Sequence, residues 1–265
     1  MNELVHTFEA DTCPQVWLQA AEFLMRQKTR SAYNVVLAAH TPELLTATDF
    51  GVHNCVDEFL GEHGRFLVAT VAGTIFPANF YMHRGAKGLY KDYLALSPRI
   101  PSRWDHYAIR MLRRSVASDG REINPLRVLV DKMKRQFAGW HMRAVYEMNM
   151  IEAGDILELP LYDATTDSRH TRGQLCLIHL SFKLLSQERQ VALTALYRHH
   201  YYVEKALGNL IGLAQLLSFV AAEVGVGVGP LICHSTLAEL DEGSWGVHSI
   251  QELLDECRRV EGGKP

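Results

Sequence analysis

The run from Leu175 to Glu223, "LCLIHLSFKLLSQERQVALTALYRHHYYVEKALGNLIGLAQLLSFVAAE", constrains the fold more than any other part of the chain. Two strand-like segments, "LCLIHLSFKLL" and "VALTALYRHHYY", flank "SQERQ", a turn between them. A long apolar helix from Val203 to Glu223 follows, and then the strand-like "VGVGPLIC". The helix is apolar all round, so it belongs in a core or a membrane. Gln215 and Glu223 interrupt it, and Gly225, Gly227, Gly229 and Pro230 stop it, which favours a buried helix of a soluble protein.

Upstream the pattern is mostly helical. Asp11-Thr12 caps a helix opening near Pro14, "AYNVVLAA" reads as a strand, and "DFGVHNCVDEFLGEHG" is a helix closed by Gly64. "RFLVATVAGTIF" is a strand or the start of a buried helix, and periodicity does not decide between them. Pro77 resets the chain before "ANFYMHRG" and the helical "AKGLYKDYLAL". Asn124-Pro125 opens "PLRVLVDKMKRQF" in the manner of an N-cap with proline at the first helical position. "ILELPLYD" reads as a strand, and Ser249 with Glu252 as a capping box for "IQELLDECRRV". Helices gather in the first half and strands in the second, and no linker or repeat divides them. The expectation is one α+β domain over residues 1–265, a mixed β-sheet covered by helices around a long buried central helix.

Several function classes recede on composition. A net charge of −3 gives no reason to expect a nucleic acid or an anionic membrane as partner. Five widely spaced cysteines make no disulfide framework and no Cys-x-x-Cys pair, which suits a reducing cytoplasm. The N-terminus "MNELVHTFEADTC" lacks the regions of a signal peptide. "GVGVGP" lacks the strand–helix context of a dinucleotide loop. Adjacent strand residues face opposite ways, so His199 and His200 would not share a metal ion, and none is expected.

Polar groups crowd the junction of the second strand and the long helix: Arg198, His199, His200, Tyr201, Glu204 and, within the helix, Asn209. Strict alternation would group Ala192, Thr194, Leu196, Arg198 and His200, and on the preceding strand Cys176, Ile178, Leu180, Phe182 and Leu184. A guanidinium at the end of an apolar face needs a partner or an anionic ligand, and a buried Asn needs hydrogen bonds. Structural partners would satisfy each alone; the cluster points to a pocket.

The segment from Leu175 to Ala221 resembles the core of thymidylate synthases and related pyrimidine-nucleotide hydroxymethylases. Without a gap, His179 falls on the family's histidine, Arg198 on its phosphate-binding arginine and Asn209 on its base-reading asparagine. The resemblance implies a homodimer joined through its sheets, and methylene-tetrahydrofolate as one-carbon donor. It also implies methylation or hydroxymethylation of a ring carbon in a pyrimidine nucleotide, nucleoside or similar heterocycle. In such chemistry a thiolate adds to the conjugated ring and makes the neighbouring carbon a nucleophile. Departures matter as much. Ile178 stands where the nucleophile should be, and Cys176 lies two residues earlier, roughly 6–7 Å away in a regular strand. A bulge would bring it into place. The family's serine and aspartate become His199 and Tyr201, and its His-x-Tyr aligns with Glu239 and Asp241. Its partner-subunit arginines fall near Asp155 and Ile156, and its glutamate near Ala78 and Asn79. On this reading Cys176 and His179 are the catalytic candidates. Arg198, His199, His200, Tyr201, Glu204, Asn209, Glu239 and Asp241 bind substrate. The alternative is a homologue that lost catalysis and binds a nucleotide-like ligand or a protein partner.

Overall fold

A computed structural model describes residues 4–96, 107–115, 121–137, 144–150, 175–243 and 245–262. Its frame is a mixed sheet in the order β1-β2-β9-β7-β6-β5, with a short β8 alongside β9. These strands are β1 (His6–Ala10), β2 (Ser31–Ala39), β5 (Glu147–Asn149), β6 (Leu177–Leu185), β7 (Gln190–Tyr197), β8 (His200–Tyr201) and β9 (Gly227–Glu239). Two-residue strands β3 (Arg114–Ser115) and β4 (Glu122–Ile123) pair separately. The expected strand "ILELPLYD" lies outside the described residues.

The "SQERQ" turn joins β6 and β7 as an antiparallel pair. β7 and β9 are neighbours but parallel, so the chain between them must cross over one face of the sheet. The crossover is the apolar helix α7 (Leu207–Val224), entered through a π-helical turn, Tyr202–Ala206. Gly225, at φ +82°, closes α7 in the left-handed conformation, with its N–H on the Ala221 carbonyl at 2.9 Å. The stretch Tyr202–Val224 is long and apolar enough to span a membrane, yet it is packed mostly inside the fold.

Helix α1 (Cys13–Arg26) starts after Thr12, whose backbone N–H is satisfied by Gln15 at 3.4 Å. Helix α2 (Ala47–Glu62) opens at a Thr46–Asp49 capping box. The ambiguous "RFLVATVAGTIF" becomes helix α3 (Val68–Ile75). Its neighbour α7 decides this. A Cβ at Gly208 would lie 2.6 Å from Val71 Cβ, and one at Gly212 would lie 2.7 Å from the Ala72 carbonyl oxygen. The two glycines, one turn apart, let α3 lie directly on α7. Helix α4 (Ala78–Leu96) bends at Gly85, where the sequence separates two helical runs. Helices α5 (Tyr107–Leu112) and α6 (Pro125–Phe137) follow, and Asn124 Oδ1 accepts the Arg127 N–H at 2.9 Å as the expected cap.

The last helix, α8 (Gly246–Glu261), corrects an expectation. It starts three residues before Ser249, so Ser249 and Glu252 lie inside it. Trp245 sets the start, because its indole N–H donates to the Asp241 carbonyl at 2.9 Å.

A second correction concerns β7. Its fully buried residues are Val191, Leu193, Ala195 and Tyr197, which face the helices with Leu180, Phe182 and Leu184 of β6. Thr194 and Leu196 lie on the half-buried outer face. The chain bends at Arg198 and His199 before pairing again as β8, so His200 returns to the interior, 1 % exposed. Arg198 and His200 therefore do not share a face.

Candidate functional site

The polar crowding of the sequence surrounds a cavity of about 550 Å³ where β7 ends and the crossover begins. Such a volume suits a small organic ligand. Cys176, His199, His200, Tyr201 and Asn209 all line it. Helix α3 closes the other side with Thr70, Val71 and Thr74, between Phe66 and the hydroxyl-bearing ring of Tyr107.

Cys176 reaches this cavity because β6 is irregular. Leu177 pairs with Tyr197 and His179 with Leu196, which leaves Ile178 as an extra residue, a bulge. The bulge inverts the alternation, so Leu177 is wholly buried and Cys176 is half-buried at the cavity. Ladder pairing continues past the strand end, with the Arg198 N–H donating to the Cys176 carbonyl at 2.9 Å.

Behind the cavity wall runs a buried network. The ring of His200 stacks on Tyr197 at 4.1 Å and 2°. Its Nδ1 meets Ser235 Oγ at 3.0 Å, and its Nε2 meets Asn209 Nδ2 at 3.0 Å. Burial, and then the neighbouring His199, hold its pKa down to about 3, so the ring is neutral at physiological pH. With Nδ1–H donating to the serine, Nε2 accepts from the amide. This leaves the Asn209 carbonyl oxygen and one amide proton for the cavity.

Asp241 holds the entry of the crossover. Its Oδ1 accepts the Val203 N–H at 2.8 Å and its Oδ2 the Glu204 N–H at 3.2 Å. Burial drives its pKa up to about 7 against those hydrogen bonds. Trp17 fastens the same turn by donating its indole N–H to the Tyr202 carbonyl at 2.7 Å. Asp241 thus serves the backbone rather than the cavity wall. Glu239 does not line the wall either: its Oε2 sits 2.8 Å from His199 Nε2. Glu204 pairs with Lys205 at 2.9 Å, and Lys205 is the one of the two at the cavity.

Two further candidates stand apart. His179 belongs to an exposed cluster on the other side of the sheet, with Nδ1 2.7 Å from Asn149 Oδ1 and Nε2 2.8 Å from Glu147 Oε2. Ser181 and Lys183 bond the same carboxylate, and with His179 they outweigh burial and hold the Glu147 pKa low. Arg198 is not on the cavity wall, and its Nε donates to the Leu175 carbonyl at 2.8 Å. Ala78 and Asn79 line a different depression, beside Phe80 and Tyr93. Asp155 and Ile156 lie outside the described residues.

The sequence reading missed Tyr107, Phe66, Lys205 and the two threonines of α3. Thr70 and Thr74, four apart in an otherwise apolar run, are a legible mark of a polar notch on one helix face. Nothing local singles out Tyr107, whose hydroxyl accepts the Leu177 N–H at 3.2 Å.

No protein-family model matches the chain. Two curated archaeal proteins share 40% identity with it over 67 residues. Both are named "Putative thymidylate synthase", one from Methanothermobacter thermautotrophicus and one from Methanothermobacter marburgensis. The match covers 25% of this chain and 29% of each relative. It supports a thymidylate synthase-like relationship, in agreement with the mixed sheet and buried helix.

Proposed function

We propose that this cavity binds a pyrimidine nucleotide, nucleoside or similar heterocycle, and that Cys176 adds to its ring so that the neighbouring carbon can take up a one-carbon unit. The observation that supports this is the convergence of the Cys176 thiol and the Asn209 carboxamide on one cavity. The amide offers an acceptor and a donor side by side, the pair needed to read a ring edge carrying adjacent N–H and C=O groups. Tyr201 and the edge of His200 shape the wall around it. Transfer would be a methylation or hydroxymethylation. The half-buried outer sheet face, with Val36, Thr194, Leu196 and Ile232, is the surface a sheet-to-sheet homodimer would cover.

Methylene-tetrahydrofolate, the donor implied by resemblance, would supply the one-carbon unit. Among the described residues no acidic or amide side chain other than Asn209 lines the cavity. The described residues thus do not make a dedicated donor site.

The test is exchange of the ring hydrogen of candidate pyrimidines with solvent, with and without a folate donor, in wild type and Cys176→Ser. Exchange that disappears in the variant supports the reading. Binding without exchange across a wide panel sinks it. A thermal-shift comparison of nucleoside monophosphates with nucleosides tests Arg198: Arg198→Ala should cancel any phosphate-dependent stabilisation. If phosphate makes no difference in wild type, Arg198 has no part in binding it. A second reading, binding without catalysis, is favoured by Ile178 at the aligned nucleophile position and by His179 lying outside the cavity.

A further inference from the structure

We infer that His199, oriented by Glu239, is the base that takes the proton from the Cys176 thiol. The resemblance assigns no such pair, and it arises from residues in which this chain departs from the family. An ionised carboxylate only accepts hydrogen bonds, so the 2.8 Å contact to Glu239 Oε2 places a proton on His199 Nε2. In a neutral imidazole the lone pair then lies on Nδ1. That nitrogen bonds no described residue, and the ring lines the cavity with its side chain 27% exposed. The adjacent His200 is the contrast: it is buried and both its nitrogens are engaged.

The sheet brings base and thiol to the same cavity. Cys176 pairs through its carbonyl with the Arg198 N–H, the residue immediately before His199, and both side chains reach the same cavity. Nucleophile and base on one cavity wall, with the carboxylate that orients the base, are the set of groups that activates a thiol. The S–H proton passes to Nδ1, giving a thiolate and an imidazolium whose charge Glu239 balances. Nothing is oxidised or reduced. If the proposed ring chemistry holds, the thiolate bonds to the ring carbon and its partner carbon gains the electron pair from the C=C bond. The imidazolium proton can then quench that carbon, and reversal releases the thiolate and exchanges the ring hydrogen.

Other ionisable groups around the pair set its background. Tyr201 packs edge-on against His199 at 4.5 Å, and burial with Glu239 raises its pKa, so it stays protonated. Lys205 stands with Glu204 on the crossover turn, where Asp241 is turned to the backbone. Arg198 and His200 flank His199 in the chain, and Tyr107 and Tyr197 lie on the Cys176 side.

The activation step rests only on the geometry, and the ring step rests on the proposed function, so the two fail separately. The experiment is peptide-resolved alkylation of Cys176 by iodoacetamide from pH 5 to 9, on the full-length chain without substrate. Half-buried Cys55 serves as internal reference, and the buried Cys13, Cys233 and Cys257 report unfolding. In wild type the inflection should lie below the ordinary thiol value of about 8.5. His199→Gln should move it back to that value and slow alkylation near pH 6.5 by about tenfold. Glu239→Gln should give a smaller shift, and Glu239→Asp should restore part of it. A shifted profile without ring exchange supports this assignment and overturns the ring chemistry. An unchanged Cys176 profile in folded His199→Gln or in Glu239→Gln overturns the assignment.

Discussion

Asp241→Asn should expose an acid sensitivity that the wild-type chain conceals. Two buried groups at the crossover titrate in opposite senses. His200, 1 % exposed, is held down to about 3 from its ordinary 6.5 by burial and then by His199. As pH falls below 6.5 the unfolded chain takes up this proton first, so the stability tied to neutral His200 is complete above 6.5 and is lost toward 3. Asp241, 8 % exposed, is pushed up from 3.8 to about 7 by burial. Its folded form takes up a proton first, so stability is gained as pH falls from 7 and lost as pH rises through 7. At about 1.4 kcal/mol per pKa unit, each group contributes a change of about 2 kcal/mol between pH 7 and pH 5, with opposite signs. They nearly cancel. Asparagine keeps one oxygen for the Val203 or Glu204 N–H and removes the titration, leaving His200 unopposed. The variant should lose about 2 kcal/mol more than wild type over that interval. Urea unfolding at pH 7, 6 and 5 measures this, followed by fluorescence of the well-buried Trp17 and Trp245. Wild type and variant curves that run parallel with pH would refute the opposed titrations.

Gly212→Val would place atoms against the Ala72 carbonyl, 2.7 Å from a Cβ, and against Ile75 Cβ at 2.8 Å. It should cost about 1–3 kcal/mol and loosen ligand binding as α3 is pushed off α7, read by thermal melting and by ligand-induced shift. Trp17→Phe removes the donor to the buried Tyr202 carbonyl and should cost about 1–3 kcal/mol in urea unfolding. An unchanged midpoint would show that water or a shifted neighbour satisfies that carbonyl.

What the sequence discloses depends on how local the controlling contact is. Thr12 before α1, Asn124 before α6 and Gly225 after α7 act within a turn of themselves, and each is found where its residue type places it. The β6–β7 hairpin is equally local, because its turn and alternation lie within one short stretch. The faces of those strands are another matter. One extra residue at Ile178 and one bend after Tyr197 invert the parity on either side of them, and neither leaves a mark in hydrophobic alternation. Helix α3 was undecidable for a related reason: its run is apolar throughout, and the glycines that fix its packing lie far along the chain in α7. Cys176 and Asn209 could be foreseen at one pocket, since the ladder and one crossover join them. Glu239 could be foreseen only as a polar residue near that pocket, because its contact with His199 spans β9 and the β7 bend.

The parallel pairing of β7 with β9 explains why polar groups crowd this junction. A crossover must leave the sheet where its backbone groups lose their ladder partners, so the first turn of the crossover needs side-chain help. Asp241 supplies it to Val203 and Glu204, while Ser235 and Asn209 satisfy His200 behind the wall. Those groups hold the junction open. A second set, Cys176, His199 and Tyr201 with the free edge of Asn209, faces the cavity. The two sets meet at Asn209 and His200, which serve both, and along the backbone from His199 to Tyr201. Cys176, His199 and Tyr201 make none of these fastening side-chain bonds, so they can be exchanged without unfastening the crossover.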